Sequence, residues 1–213
     1  MRIQKEQVVR AAWALVDEVG VEGLTMRLLA QALAIQAPSL YWHFPSKQSL
    51  LETMADALLE DVGLERPEGQ DWEVVVRNVA GQLRRAFLSH RDAARVFAGT
   101  VVVSQNTFRV SEWLMEALAR AGLSPREAGW ATFTLLDYVL GFTIEEQAFC
   151  ARDMEGSPVA QRMRALATTR FPHVARAVDA LVDPDFDARF AFGLDLFLAG
   201  LGGHRPPRRA HSR

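Results

Sequence analysis

The chain has 213 residues, of which 49% are hydrophobic and 23% charged, a composition typical of a water-soluble globular protein with a substantial core. Its one cysteine, Cys150, excludes an intramolecular disulfide and a four-cysteine zinc site. No apolar run approaches the ~20 residues of a membrane helix, and the first residues lack the apolar core of a signal peptide. We therefore expect a cytoplasmic protein with no membrane partner.

The net charge of -2 hides an uneven distribution of charged residues. Residues 1–47 carry a net charge of +1, residues 48–199 a net charge of -7, and residues 200–213 a net charge of +4. A DNA partner requires positive groups on the contacting surface, whatever the total charge. The distribution is compatible with DNA binding only through a small contact surface.

A first helix is indicated by apolar residues at three- and four-residue spacing, which share one helical face: Val8, Ala12, Leu15, Val16 and Val19. Gly20 and Gly23 are expected to end it, because glycine tolerates the left-handed conformation of a helix C-terminus. Thr25 is the predicted N-cap of a second helix, Met26 to Leu33.

A short break precedes a third predicted helix, Ala37 to His43, in which Pro38 suits the first turn because the N–H that proline lacks is unpaired there anyway. Pro45 stops this helix, and Ser46 is expected to cap a fourth helix over 47–62. Two short helices joined by a tight turn and supported by a longer first helix are typical of a DNA-reading helix-turn-helix.

The segment 63–70, which contains glycine, proline and charged residues, is the best candidate for a linker. Beyond it the periodicity predicts six helical segments, at 71–88, 93–99, 107–121, 126–151, 159–168 and 186–201, with no strand. The predicted fold class is therefore all-α. We expect a helix-turn-helix domain at 1–46, a larger helical domain at 47–203 joined to it by helix 47–62, and a disordered basic tail at 204–213.

The head contains the sequence EVGVEGLTMRLLAQALAIQAPSLYWHF, in which VEGLT and SLYWHF are the most distinctive runs. At these residues the chain resembles the TetR family, and within it the tetracycline repressors. The resemblance continues at FLSHRDAARV, LDYVLGFTIEEQ and FAFGLDLFLAGL, and is weak between 150 and 185. It implies a transcriptional regulator and not an enzyme: a repressor that a small-molecule inducer releases from double-stranded operator DNA.

A recognition helix lies in the major groove with its first residues towards base edges. The resemblance places seven residues at positions that contact the operator: Arg27, Pro38, Ser39, Tyr41, Trp42, His43 and Lys47. Thr25 matches a phosphate-contacting cap. Tetracycline repressors carry a base-reading glutamine just before the proline, where this chain has Ala37 with Gln36 one step earlier. Alanine touches a thymine methyl but neither donates nor accepts a hydrogen bond, so we expect a different operator sequence.

Three side chains of the third helix also have structural interpretations. Trp42 could pack inside the small domain, and His43 could stabilise the helix end, where a cation suits the helix dipole. Leu40 is expected to belong to the core of the head.

Segments 126–151 and 186–201 are apolar on more than one side, which is typical of helices buried on more than one side. In the second segment, Gly193 and Gly200 would allow close helix approach. The resemblance implies that the two helices form a four-helix bundle with those of a second copy, and so a homodimer. Its recognition helices would lie ~34–36 Å apart, in successive major grooves. The alternative, that both are only monomer core, is less favoured, since they exceed what a body of ~140 residues needs to cover.

The other helices of the body are expected to enclose an apolar pocket for the inducer, because drug-sized ligands bind in such pockets. The candidate lining residues are Phe97, Thr100, Val101, Phe108, Trp113, Leu114, Trp130, Phe133 and Phe142. The resemblance places the polar residues that bind the drug in tetracycline repressors at Gly63, Val79, Leu83 and Leu114. Most of these polar side chains are therefore absent from this chain.

Tetracycline repressors bind a magnesium–tetracycline chelate, which needs a histidine where this chain has Phe97 and an arginine where it has Val101. Glu145 matches an acidic residue near the metal and is added to the candidate ligand contacts. A hard cation such as magnesium is usually bound by several oxygen ligands, and one carboxylate on an apolar wall would bind it weakly. We therefore expect no cofactor, no required metal and an aromatic or lipophilic inducer.

Ser89, His90 and Asp92 have the residue types of a catalytic triad, but such close neighbours in a four-residue break cannot form the relay geometry. A loop between helices is the favoured interpretation. A different function stays open: a helical small-molecule-binding protein or enzyme with a vestigial DNA-binding head. Strong salt dependence of DNA affinity would favour the regulator over this alternative.

Overall fold

The computed structural model describes residues 4–65, 68–150 and 158–203, without the side chains of 168–170. Within these residues the protein is entirely helical, as predicted, with eleven helices and no strand. The helices are α1 (Lys5–Gly23), α2 (Met26–Ala32), α3 (Ala37–His43), α4 (Lys47–Ala57), α5 (Trp72–Leu88), α6 (Ala93–Ala98), α7 (Gln105–Arg120), α8 (Pro125–Cys150), α9 (Pro158–Arg170), α10 (Pro172–Leu181) and α11 (Phe186–Gly203). The tail predicted at 204–213 lies outside the described residues.

The apolar face of α1 packs into the core of the head, with the exception of Val19, which is 44% exposed. Gly20 has a φ of 74°, so the regular helix stops there as predicted, and one more helical turn follows to Gly23.

The predicted caps of the head are confirmed. The Thr25 hydroxyl accepts the Leu28 N–H at 3.1 Å, and the Ser46 hydroxyl accepts the Ser49 N–H at 3.1 Å. The turn between α2 and α3 passes through Ala34, whose φ of 52° lies in the left-handed region. Leu40 of α3 is fully buried and belongs to the core of the head, as predicted. Helices α2 and α4 therefore begin after capping side chains, and α3 carries Pro38 in its first turn.

Two helical predictions differ from the structure. Helix α4 ends at Ala57 and not at 62, and residues 58–63 form successive turns with bonds such as Leu59 N–H to the Asp56 carbonyl at 2.9 Å. The apolar residues of these turns are buried, and their spacing along the sequence matches that of a helix with one buried face. The periodicity therefore predicted a longer helix than the structure has. The periodicity predicted no helix between 168 and 186, but α10 lies there and begins at Pro172, because proline is tolerated in the first turn of a helix.

The body is built around three long helices, α5, α7 and α8, which pack against one another. Helix α6 lies between α4 and α8, while α9 and α10 pack on each other. Helix α11 packs on α8, and a Cβ at Gly193 would overlap the ring of Tyr138. The predicted close approach at Gly193 is therefore confirmed. No helix of the described ranges is long and apolar enough to cross a membrane.

Candidate functional site

The predicted DNA-contacting residues lie on and around the outer surface of α2 and α3. Seven of them are exposed, namely Thr25, Arg27, Gln36, Pro38, Ser39, Tyr41 and Trp42. The other three, Ala37, His43 and Lys47, are half-buried. Leu40 points the opposite way and is fully buried. The short helix α3 is thus anchored by one side and offers its other side to a partner.

Trp42 is 73% exposed, so the interpretation that it packs inside the head is wrong. Its ring meets that of His43 edge-on, with centroids 4.8 Å apart, at the end of α3. Tyr41 is 47% exposed beside them. An exposed tryptophan leaves apolar surface in water, which is typical of a contact surface.

Lys47 has a partner within the protein. Its Nζ donates to the Val21 carbonyl at 2.9 Å, and the Val21 N–H donates to Asp92 Oδ2 at 3.1 Å. The peptide that follows the Gly20 kink is therefore held by α4 on one side and by the start of α6 on the other. A contact between Lys47 and a DNA phosphate stays a prediction.

The loop between α5 and α6, which carries Ser89, His90 and Asp92, belongs to the body and contacts α1 of the head. His90 Nδ1 lies 2.8 Å from Asp17 Oδ2, and the His90 ring stacks on Trp13 with centroids 4.6 Å apart. The Ser89 hydroxyl donates to the Ala86 carbonyl. These three side chains make separate structural contacts, which supports their interpretation as a loop between helices.

The end of α4 is tied to α7 by side chains that the sequence did not single out. Ser104 Oγ and Asn106 Nδ2 donate to the Asp56 carboxylate at 2.5 and 3.0 Å. Arg109 donates from Nη2 to the Leu59 carbonyl at 2.7 Å and the Glu60 carbonyl at 3.0 Å, and from Nε to the Val62 carbonyl at 3.1 Å. No sequence pattern marks such contacts, because the bonded residues are about 50 positions apart.

A small cavity of about 140 Å³ lies between α5, α7 and the segment after α4. It is lined by Gly63, Glu65, Gln70, Val75, Asn78, Val79, Gln82 and Trp113. Of the ten predicted ligand contacts, Trp113 borders this cavity and the structure does not bring the others to its wall. The cavity includes Gly63 and Val79, two of the positions where the resemblance placed lost drug anchors.

The other predicted ligand contacts are dispersed. Leu114 is buried in the core, Phe97 packs on Phe87 with ring centroids 5.0 Å apart, and the Thr100 hydroxyl donates to the Phe97 carbonyl at 2.9 Å. Phe142 packs among the rings of α8 and α11. The exposed ones are Val101, Phe108, Trp130, Phe133 and Glu145. Their contact with an inducer stays a prediction.

A second, larger cleft of about 820 Å³ lies between α1, the end of α4 and α5. Most of the residues that line it are polar or charged, including Glu6, Arg10, Asp61 and Arg85. No local sequence pattern predicts this cleft, because it exists only where helices of the head and of the body face each other.

A buried ion pair, which no local sequence pattern predicts, links the body helices. Arg84 of α5 binds Glu146 of α8 through two hydrogen bonds, and its Nη1 lies 2.6 Å from Asp187 Oδ1 of α11. The bond with Glu146 raises the pKa of the Arg84 guanidinium, against the opposing effect of burial. The guanidinium also lies over the rings of Phe190 and Phe142, at 4.9 and 5.5 Å.

Two family models match the chain. The model of bacterial regulatory proteins of the tetR family matches residues 8–54, and that of the tetracyclin repressor-like C-terminal domain matches residues 65–204. The chain belongs to the TetR family. It is therefore a DNA-binding transcriptional regulator, and the exposed side of α3 is part of the head that gives the family its helix-turn-helix.

Relatives within the TetR family cover nearly the whole chain. Tetracycline repressor protein class G of Vibrio anguillarum is 36% identical over 201 residues, 93% of each chain. The crystal structure of a possible TetR family transcriptional regulator from Streptomyces coelicolor A3(2) is 38% identical, with a TM-score of 0.83 over 95% of this chain and 100% of that one. ActR of Streptomyces coelicolor in complex with actinorhodin is 30% identical, with a TM-score of 0.83 over 93% and 95%.

Two residues that the resemblance placed near the metal of a magnesium–tetracycline chelate can be located in the structure. Phe97 has no metal-binding atom and packs on Phe87, and Glu145 is exposed. In the part of the chain that the structure describes, no group of three or more His, Cys, Asp or Glu side chains could hold a metal ion.

Helices α8 and α11 each expose apolar side chains. Trp130 and Phe133 of α8 are 59% and 65% exposed, and Phe192 and Leu196 of α11 are 65% and 60% exposed. The opposite sides of the same helices are buried, at residues such as Leu135 and Leu194. Each helix is thus apolar on two sides, as the sequence indicated, and one of them is uncovered in the single chain.

Proposed function

We propose that the protein is a homodimeric transcriptional repressor of the cytoplasm, not an enzyme, which an aromatic or lipophilic inducer releases from its operator without a required metal. In this proposal residues 1–46 read DNA, residues 47–203 bind the inducer and the second copy, and α4 connects the two. The single observation that carries it is the surface of α3, where Tyr41 and Trp42 are exposed while Leu40 is buried.

The chemistry of this surface suits a DNA major groove. Ser39 offers a hydroxyl to a phosphate or base, and Arg27 of α2 offers a guanidinium to a guanine or a phosphate. Tyr41 and Trp42 offer large rings with polar edges. A head that no longer bound DNA would not need these hydroxyl, guanidinium and aromatic side chains exposed on one surface. The alternative of an enzyme with a vestigial head is therefore disfavoured.

The proposed homodimer rests on the uncovered apolar sides of α8 and α11. Four large apolar side chains on two adjacent helices, Trp130, Phe133, Phe192 and Leu196, would lose their contact with water against a second copy. A second copy also provides two recognition helices, which a two-fold symmetric operator requires.

The proposed inducer follows from the character of the body and from the relatives. Phe97 stands where the metal-binding histidine of tetracycline repressors would be, and the relative ActR has been crystallised with actinorhodin. A ligand that binds through apolar contact and a few hydrogen bonds needs no chelated cation.

Fluorescence anisotropy with DNA from the promoter region of the adjacent gene tests the proposed function. We expect specific binding that weakens steeply with salt, because phosphate contacts release counterions. The variant Trp42→Ala should lose at least about tenfold in operator affinity, or about 1.4 kcal/mol, with an unchanged unfolding midpoint. Val74→Ala, which trims an exposed apolar side chain of α5, is the matched control. Absence of specific binding at moderate salt would refute the proposal.

A further inference from the structure

The large cleft between the head and the body, called the head–body cleft below, has three walls that meet at three corners. The walls are the first half of α1, the end of α4 with the turns after it, and the last part of α5. At one corner the Trp13 ring stacks on the His90 ring, and at another the Gly63 N–H donates to Gln82 Oε1 at 2.8 Å. At the third corner α1 packs on α4. Contacts within the protein therefore frame the cleft on every side.

The floor of the head–body cleft is apolar. Val9 and Trp13 of α1 line it together with Leu58 and Val62 of the turns after α4, and all four side chains are buried. The volume of about 820 Å³ lies within the ~300–1,000 Å³ of drug-sized sites, which occur preferentially at domain interfaces. The cleft thus has room for an organic molecule with an apolar middle part.

The exposed charges above this floor are separated by sign. Arg10 of α1 and Arg85 of α5 lie on two of the walls. Glu60 and Asp61 lie on the third wall, in the turns after α4. Within the described residues, these two guanidinium groups and two carboxylates make no ion pair or hydrogen bond with other side chains. A molecule with a carboxylate at one end and an ammonium at the other would provide a partner for both sets.

The other charged residues of the lining do not alter this separation. Lys5 and Glu6 are adjacent on α1 and have opposite signs, so their charges offset each other. The Asp56 carboxylate already accepts hydrogen bonds from Ser104 and Asn106 of the body. The free charges of the cleft are therefore cationic towards α5 and anionic towards the turns after α4.

We propose that the head–body cleft binds an amphipathic zwitterion of the size of a short apolar peptide with free ends. Its carboxylate binds Arg85 and Arg10, and its ammonium binds Glu60 and Asp61. Its apolar part covers the floor beside Trp13, where it loses its contact with water. A molecule in this position contacts α1 of the head and α5 of the body at once. Binding here does not depend on the operator-binding function.

Calorimetric titration of the full chain with the dipeptide leucyl-phenylalanine tests the site, with two blocked forms of the same dipeptide as matched ligands. The N-acetylated form lacks the ammonium, and the C-amidated form lacks the carboxylate. We expect the free dipeptide to bind and each blocked form to bind at least about tenfold more weakly, since one set of charged side chains then has no partner. Equal affinities for the three ligands, or no binding of the free dipeptide at up to ~5 mM, would overturn the proposal.

Two variants connect each end of the ligand to its wall. Arg85→Gln should weaken binding of the free dipeptide about tenfold and abolish its advantage over the amidated form, because the carboxylate has then lost its main partner. Asp61→Asn should instead reduce its advantage over the acetylated form. Both residues are exposed, so the variants are expected to fold. Arg77→Gln is the control, since Arg77 lies on α5 outside the cleft lining and is paired with Asp195. Wild-type affinity in both cleft variants would argue against the site.

Hydrogen exchange of the wild-type protein with the free dipeptide locates the bound molecule. We expect slower exchange in peptides that cover 5–13 and 82–90, the walls of α1 and α5, and no change in the peptide of α10. Slower exchange around Val75 and Trp113 instead would place the dipeptide in the small cavity and refute the proposed site. Failure of the proposed function is recognised separately, because it concerns operator DNA, which none of these measurements contains.

Discussion

The guanidinium of Arg84 and the carboxylate of Glu146 face each other in a bidentate arrangement, with Nε 2.9 Å from Oε2 and Nη2 2.7 Å from Oε1. Both side chains are close to nine-tenths buried, and the pair joins α5 to α8. Such a pair is costly to break on one side, because the remaining charge is left in an apolar environment. It therefore fixes the relative position of two helices of the proposed ligand domain.

Removal of one partner of this pair should destabilise the protein strongly. We expect Arg84→Met to lower the free energy of unfolding by about 3 kcal/mol, since it leaves the Glu146 carboxylate buried without a cation. The double variant Arg84→Met, Glu146→Leu should recover much of this loss. Asp179→Asn is the control, because it removes an exposed ion pair with Arg164 and should cost less than about 1 kcal/mol. Chemical denaturation of the wild type and of the three variants measures the free energies of unfolding. Equal losses of this free energy in Arg84→Met and Asp179→Asn would contradict the expectation.

The uncovered sides of α8 and α11 predict the oligomeric state. Leu196→Glu places a charge among the exposed apolar residues of α11 and should convert a dimer into a monomer in sedimentation velocity, because a buried unpaired charge opposes association. Val74→Glu introduces the same charge at an exposed position of α5 and should leave the dimer intact. A wild-type protein that sediments as a monomer at micromolar concentration would argue against the proposed homodimer.

Magnesium should not change the affinity for an inducer. Phe97 supplies no metal ligand, and Glu145 is exposed rather than directed at a closed site. Calorimetric titration with tetracycline, with and without magnesium, should therefore give no magnesium-dependent binding. The same pair of titrations with any inducer found later extends the test. A large effect of the cation in either experiment would refute the prediction.

The phenol of Tyr138 predicts a dependence of stability on alkaline pH. Burial raises the pKa of Tyr138, and its hydroxyl donates to the Phe190 carbonyl at 2.8 Å. A raised pKa in the folded state means that the stabilisation is complete below the ordinary tyrosine pKa of about 10 and is lost as the pH rises through the folded value. The free energy of unfolding should fall with pH in this range, and less so for Tyr138→Phe. Parallel pH profiles for both proteins would contradict this.

The head could be predicted from the sequence in detail because its signals are local. The bounds of α3, the caps Thr25 and Ser46, the turn at Gly20 and the burial of Leu40 each depend on residues a few positions apart. The bounds of α4 could not be predicted, since the buried side chains of residues 58–63 keep a helical spacing while hydrogen bonds to Arg109 and Trp113 support turns.

The sequence by itself determined an all-α chain with a helix-turn-helix head, helices of the body that are apolar on two sides, and the family to which both belong. Only the tertiary structure decided that Trp42 is exposed, that Arg84 is paired with Glu146, and that Trp113 donates a hydrogen bond to the Gly63 carbonyl in the turns after α4. The physical reason is range. Helix periodicity and caps are set by neighbours along the chain, whereas exposure, ion pairing and the shape of a cavity depend on residues 50 or more positions away.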